Sequence, residues 1–297
     1  MPALAGAPHG SAAGAARPTT RSGSAPERRG HERGAPRHRP HHRPHHRPGP
    51  ASGGHDDATP LAVPASSRPA AGHRRAAAGA GALAALLALA ALWAARLRVE
   101  GDGVYVSQLG ADGMPTAGVV NTALLVLAAG GGLVAWALRG HRACAPVLGA
   151  WSTSATLTAA GLAFAVASRV TCTEGCPVPL TTGSTTQDLV HTSVAVTGFG
   201  AAAWAMLQVG WSACSRPLRL LSRGAAAGVA GSAAAGGLLS VAGLGTDVGA
   251  GLEHLATTVA VLWLAVLAVA AVGSGLVDQL AVRTPARASE AGPVVAG

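Results

Sequence analysis

Apolar and polar positions along this chain fall into two regimes that meet near residue 75. Beyond that point, apolar runs near bilayer length alternate with short polar breaks, at 76–95, 118–138, 146–168, 191–213, 224–244 and 254–277. Each run approaches the ~20 residues a helix needs to cross hydrocarbon. A backbone in lipid must satisfy its own N–H and C=O groups, and a helix does so within one segment. Period-two alternation over about ten residues, the mark of a barrel strand, is absent. The pattern predicts an all-α membrane protein, a six-transmembrane-helix bundle over 76–280. A disordered N-terminal tail over 1–75 precedes it, and a short cytoplasmic tail over 281–297 follows.

The tail is rich in Ala, Gly, Pro, Ser, Arg and His, and Arg37 to Pro48 reads RHRPHHRPHHRP. Proline every four residues excludes a helix there and predicts extended or disordered chain. One reading is a metal-binding or anionic-lipid-binding tail; the plainer one is a solvated low-complexity extension. A signal peptide is not expected, because the basic region is too long and no small-residue cleavage site follows a short apolar core.

Composition agrees with the pattern. Charged residues make up 12% of the chain and hydrophobic ones 49%, against the roughly 25% charge of soluble domains. The formal charge of +9 is concentrated in the tail, where twelve Arg face four acids; the rest of the chain is nearly neutral, with ten Arg and nine acids. Every basic residue is Arg. Nothing in this balance implies a nucleic-acid partner; the expected partner is the lipid bilayer.

Arginine placement sets an orientation. Arg74 and Arg75, Arg139 and Arg142, Arg216, Arg219 and Arg223, and Arg283 and Arg287 flank alternate connections. Glu100, Asp102, Asp112, Glu174, Asp188, Asp247 and Glu253 occupy the others. Both termini are therefore expected in the cytoplasm of a plasma-membrane protein. Arg96, Arg98 and Arg169 dissent, but at helix ends they can snorkel or pair with nearby acids.

Small residues supply a packing signal. Gly224, Gly228, Ser232, Gly236 and Ser240 recur every four residues in the fifth run, which predicts close packing against another helix, in the bundle or between copies. A substrate groove is the sharper alternative. Ser152, Thr153, Ser154, Thr156 and Thr158 in the third run are weak evidence of a polar path, since such hydroxyls often bond back to their own helix. Several of the six Trp stand near span ends, as interfacial anchors do.

Chemically capable side chains gather in Thr171–His191, TCTEGCPVPLTTGSTTQDLVH. On the predicted topology Cys172 and Cys176 lie outside, where a disulfide persists, and a spacer containing Gly175 can bend enough to join them. Cys144 and Cys214 near the cytoplasmic face should stay reduced. Asp188 and His191 share a helix face at the start of the fourth run. They read either as an N-cap with an interfacial His, or as a carboxylate orienting a His for metal binding or proton transfer. Glu253 and His254 open the sixth run on the same side, and Ser107, Asp112 and Asp247 belong there too. The candidate catalytic set is Ser107, Asp188, His191, Glu253 and His254, and the candidate metal ligands are Asp188, His191 and His254.

Several segments together resemble the domain of unknown function 998 family. YVSQLGADGMP at Tyr105–Pro115 resembles its Y-[IV]-S-x-L-G-A signature. CTEGCPVP followed by DLVH resembles its actinobacterial branch, and Ser222–Arg223 and Gly251–Leu255 match later positions. His254 stands where members often carry Arg. The resemblance covers about 76–280 and implies an integral membrane protein of six helices with no established activity.

Three functions follow. In the first, the protein is not an enzyme and its outer polar motifs brace the bundle. In the second, it is a metal-dependent hydrolase resembling the ceramidase and adiponectin-receptor superfamily, although only two outward His are present. In the third, it is a small transporter or lipid-handling protein, although no charge lies in mid-span. No nucleotide-binding loop, nucleophile elbow or H-E-x-x-H motif is present, and no cofactor is implied.

Overall fold

The computed structural model describes residues 68–101, 103–213 and 215–273. The expectations for residues 1–67 of the tail, for the end of the last run, for the C-terminal tail, and for Asp102 and Cys214 lie outside the described residues. Among those residues every regular element is a helix: α1 (Arg68–Arg96), α2 (Val106–Leu109), α3 (Ala117–Ala137), α4 (Pro146–Gly149), α5 (Thr153–Ala167), α6 (Thr186–Ser212), α7 (Arg216–Val241) and α8 (Thr246–Gly273).

Five of these, α1, α3, α6, α7 and α8, are long and apolar enough to cross a membrane. The third predicted run is the exception. Pro146 opens the one-turn α4, and Ser152 then ends continuity by capping α5, its hydroxyl accepting from the Ala155 N–H at 3.1 Å. A serine side chain at that position satisfies a donor that would otherwise be orphaned, so a new helix starts there. The expected single span over 146–168 is thus replaced by α4 and a 15-residue α5, about 22 Å long at 1.5 Å per residue.

Elsewhere the helices begin earlier than the apolar runs. Three start at Thr186, Arg216 and Thr246, where hydropathy predicts 191, 224 and 254. Their polar first turns are helical because caps hold them. Thr185 and Asp188 form a capping box on α6, and a proline fits the first turn of α7, where its missing N–H costs no bond. Hydropathy records what faces lipid, whereas a helix extends to its cap.

The long helices and α5 form a closed ring. α1 packs on α3, α3 on α5, α5 on α6, α6 on α7, α7 on α8, and α8 returns to α1. The ring is small inside and large outside. α1 buries Ala78, Gly81, Ala82, Ala85, Ala88, Leu92 and Ala95, a three-and-four spacing that keeps one seam facing its neighbours. Leu83, Leu86 and Leu87 on the same helix are exposed, as are Leu162, Val196 and Leu238. Large aliphatic side chains on the outer surface, with Ala and Gly at the helix contacts, is the arrangement expected where lipid is the solvent and close packing holds helices together.

The tightest crossing is between α1 and α3, at a glycine pair that periodicity did not single out. A methyl group added at Gly130 would meet the Ala84 Cβ at 2.9 Å and the Gly81 carbonyl at 3.1 Å. One added at Gly81 would meet the Gly130 carbonyl at 2.8 Å. The α7 stripe divides. Ser232 and Gly236 are buried, with Gly236 against α8, Ser240 is half-buried, and Gly224 and Gly228 are exposed. A strict four-residue period advances faster than the 3.6-residue helical turn, so the stripe winds from the outer surface into the α7–α8 contact. The buried face follows Ser222, Ala225, Ala226, Val229, Ser232 and Gly236 instead.

Replacing Gly130 with Leu should therefore destabilise the protein by about 1–3 kcal/mol or prevent its assembly. Gly228→Leu, with nothing within 4 Å of its added Cβ, should leave stability within about 0.5 kcal/mol of the wild type. Thermal unfolding in detergent measures both. Equal melting temperatures for the two variants would show that the α1–α3 crossing is not tight.

Candidate functional site

Three connections, α1–α3, α5–α6 and α7–α8, meet at one end of the bundle, and most of the predicted candidates lie there. The one-turn α2 is its platform. Too short to satisfy its own first N–H groups, it borrows a carboxylate from α8. Glu253 Oε2 accepts from the Val106 N–H at 2.9 Å and from the Ser107 hydroxyl at 3.4 Å, and Oε1 accepts from the Ser107 N–H at 3.3 Å. The Tyr105 N–H donates to Gln108 Oε1 at 2.9 Å, and Gln108 Nε2 reaches across to the Gly175 carbonyl at 3.1 Å. Tyr105 packs against Gly249 of α8, and its buried hydroxyl has no partner among the described residues. Ser107 and Glu253, proposed together as reactive groups, are together as a helix cap.

Asp188 is fully buried in the first turn of α6. Its carboxylate accepts from the Thr173 N–H at 2.8 Å, the Thr185 N–H at 2.8 Å, the Thr173 hydroxyl at 2.9 Å and the Thr185 hydroxyl at 2.8 Å. His191, one turn further on, does not join it. Its Nδ1 lies 2.7 Å from the Val170 carbonyl oxygen. A carbonyl only accepts, so Nδ1 carries a proton. Asp112 binds the α5–α6 connection to α2: its N–H donates to the Cys172 carbonyl at 2.9 Å, and its carboxylate accepts from Thr171 Oγ1 at 2.7 Å and Gln187 Nε2 at 3.1 Å.

Cys172 and Cys176 are joined, with Cα atoms 4.9 Å apart. Gly175 makes the intervening turn at φ +78°, and Cys176 follows at φ +48°, backbone that glycine adopts without steric cost. This five-residue ring presents the Cys172 carbonyl to Asp112, the Thr173 donors to Asp188 and the Gly175 carbonyl to Gln108. Arg96 also behaves differently from expectation. It donates to the carbonyls of Val99 and Gly101 at 3.1 and 2.8 Å, fastening its own loop.

His254 stands apart from the others. Its Nδ1 donates to the Ala250 carbonyl at 2.9 Å, its ring packs against Trp93 at 5.7 Å between centroids, and its buried Nε2 has no partner. Asp188, His191, Glu253 and His254 thus each engage a different local partner. Among the described residues, no group of three or more His, Cys, Asp or Glu is placed to hold a metal ion. The donor set a structural or catalytic zinc needs is not assembled by these side chains.

A second polar network, at the opposite end, was not anticipated from sequence. His141, between α3 and α4, is buried. Its Nδ1 is 2.9 Å from Thr153 Oγ1 and its Nε2 3.1 Å from Ser212 Oγ. Ser212 donates its only hydroxyl proton to the Gln208 carbonyl at 2.6 Å, so it must accept from His141 Nε2–H, and Thr153 then donates to Nδ1. Burial holds the His141 imidazole below the ordinary histidine range, in keeping with this neutral form. Gln208 Nε2 donates to the carbonyls of Leu148 and Trp151, both at 2.9 Å, pinning α4 and its following turn onto α6. An amide in an otherwise apolar run was the one sequence signal for this network.

A closed ring of apolar helices, small inside and large outside, with its acids and arginines toward its two ends, defines a multi-pass α-helical membrane protein. Residues 80–270 match the family described as "Protein of unknown function (DUF998)", and the chain belongs to that family. No curated protein and no solved structure matches the chain.

Two outcomes follow. Asp188→Ala leaves two part-buried N–H groups without their acceptor and should cost about 1–3 kcal/mol, with Asp188→Asn losing less; differential scanning of purified protein measures this. His141 titrates from a depressed position, so the stability it confers is fully present above about pH 6.5 and is lost as pH falls through the lowered pKa of the folded state. Wild-type melting temperature should therefore fall on acidification more steeply than that of His141→Gln, and parallel curves would separate His141 from the acid response.

Proposed function

We propose that the protein is a six-span plasma-membrane protein of the actinobacterial type, non-enzymatic at its acidic end, which serves as a rigid extracytoplasmic cap. The observation that carries this reading is the assignment of the carboxylates of buried Asp188 and half-buried Glu253 to backbone N–H groups of helix starts and loops. A reactive carboxylate or metal ligand needs lone pairs aimed at a shared point, and these are aimed at backbone.

The path of α5 supports a sixth span. It begins beside His141 and Ser212 at one end, and its last turn continues through the Val170 N–H, bonded to the Val166 carbonyl at 2.8 Å, into the Cys172–Asp188 network at the other. It therefore joins the same two ends of the ring as its longer neighbours α3 and α6. Charge supports the orientation. Among the described residues, the end with Arg139, Arg142, Arg216, Arg219 and Arg223 contains no Asp or Glu, which by the positive-inside tendency faces the cytoplasm together with both termini. The open space at Gly224 and Gly228 supports the exposed half of the α7 stripe as a contact between two copies.

Glu253→Ala should lower the melting temperature clearly, while Glu253→Gln, whose carbonyl still accepts from Val106, should retain most of it. An unchanged melting temperature for Glu253→Ala would remove the structural role. A thiol placed at exposed Thr182 should react with a membrane-impermeant maleimide on intact cells; labelling only after lysis would invert the orientation. Cross-linking through Cys at Gly228 is expected to trap a dimer, and a monomer alone would end the self-association reading.

A further inference from the structure

A groove of about 570 Å³ opens between α4 and α5 on one side and α6 on the other, within the range of small-molecule sites. Trp151 and Trp204 stand along it, with Thr156, Thr197, Gly200 and Ala201 in its walls. Neither threonine has a hydroxyl proton to offer a solute, because Thr156 donates to the Ser152 carbonyl at 3.2 Å and Thr197 to the Ser193 carbonyl at 2.8 Å. Its walls accordingly suit a hydrocarbon chain.

The mouth has different chemistry. It lies at the arginine end, under α4 and Trp151, which is 64% exposed, where Gln208 fixes the backbone. Arg142 Nη1 donates to the carbonyls of Gly149 and of Ala150, a groove residue, at 3.1 and 3.3 Å. This places an exposed guanidinium at the rim with its Nε and Nη2 donors uncommitted among the described residues. No Asp or Glu occurs between Asp112 and Glu174 or between Asp188 and Asp247, so neither connection at this end offers Arg142 an acid. An apolar channel with an unpaired cation at its interfacial rim matches a ligand that is apolar at one end and anionic at the other.

We propose that this groove binds an anionic glycerophospholipid, one acyl chain along Gly200 and Ala201 between the two tryptophans and the phosphate at Arg142. The charge asymmetry of the two ends selects this occupant over a zwitterionic lipid, and the interfacial level of Trp151 sets where the headgroup lies. The site rests on the membrane-embedded reading proposed above. Failure of that reading would show separately, as release of the protein from membranes by alkaline carbonate.

Detergent-purified protein titrated with phosphatidylglycerol or phosphatidylcholine of matched chains, read by native mass spectrometry, tests the site. Phosphatidylglycerol should be retained several-fold more. Arg142→Gln should reduce that preference about fivefold, the effect of one arginine near an anionic headgroup. Gly200→Leu, whose added Cβ meets nothing within 4 Å, should fill the groove and lower retention of both lipids, while Arg169→Gln at the other end changes neither. Brominated-chain phosphatidylglycerol should also quench the wild-type tryptophan fluorescence more than brominated phosphatidylcholine, and that excess should shrink in Trp204→Phe, which leaves Trp151 as the groove's remaining tryptophan, a readout that does not depend on the Arg142 or Gly200 variants folding. Equal retention of the two lipids by wild type, or wild-type behaviour of both Arg142→Gln and Gly200→Leu, overturns the proposal.

Discussion

A helix that starts near a bilayer surface presents backbone N–H groups that lipid cannot satisfy, and in this protein two carboxylates answer part of that demand at one end. Asp188 gathers the Thr173 and Thr185 donors, and Glu253 gathers those of Val106 and Ser107. Each carboxylate belongs to a long helix and reaches into a connection formed by other parts of the chain. The same bonds that cap helices therefore fix how the three connections lie on one another. Remove either acceptor and the cost is twofold, since buried donors are orphaned and the register between loop and helix is lost.

The disulfide extends this logic. A ring of five residues is too small to organise a bundle by itself, but it holds three backbone groups in a fixed relation. Through them Gln108 and Asp112 of the α1–α3 connection and Asp188 of α6 read one common template. At the opposite end the template is built without charge. His141, Thr153, Ser212 and Gln208 pass hydrogen bonds between the α3–α4 connection, α5 and α6, with the imidazole neutral so that no buried charge needs compensation.

Much of this architecture was legible in the chain. Long apolar runs announce helices because lipid leaves the backbone no other solution, and Asp188 three residues after Thr185 is a capping pattern visible in the letters alone. The break between α4 and α5 was not legible, because Ser152 contributes polarity too slight to interrupt a hydropathy run yet enough to cap a helix. The Gly81–Gly130 contact was hidden for a different reason. In a chain so rich in Gly and Ala, composition shows that close approach is possible but not which pair of helices achieves it. Strict four-residue spacing drew attention to α7, where helical geometry carries half the stripe to the outer surface. Ser107, Asp112, Asp188 and Glu253 gather at one end. Their division among separate partners depends on loop paths that no local pattern encodes.

The shortness of α5 has a consequence for the surrounding membrane. Its roughly 22 Å stands beside α3, α6 and their neighbours in a hydrocarbon layer about 30 Å thick. Set in such a layer, this wall would be accommodated by local thinning that draws headgroups inward, whereas α1, α7 and α8, of 29, 26 and 28 residues, are long enough to span it. The protein would then impose a lopsided dent on the bilayer. That shape selects where it is comfortable, favouring thin or easily deformed membrane and a neighbour able to share the depression.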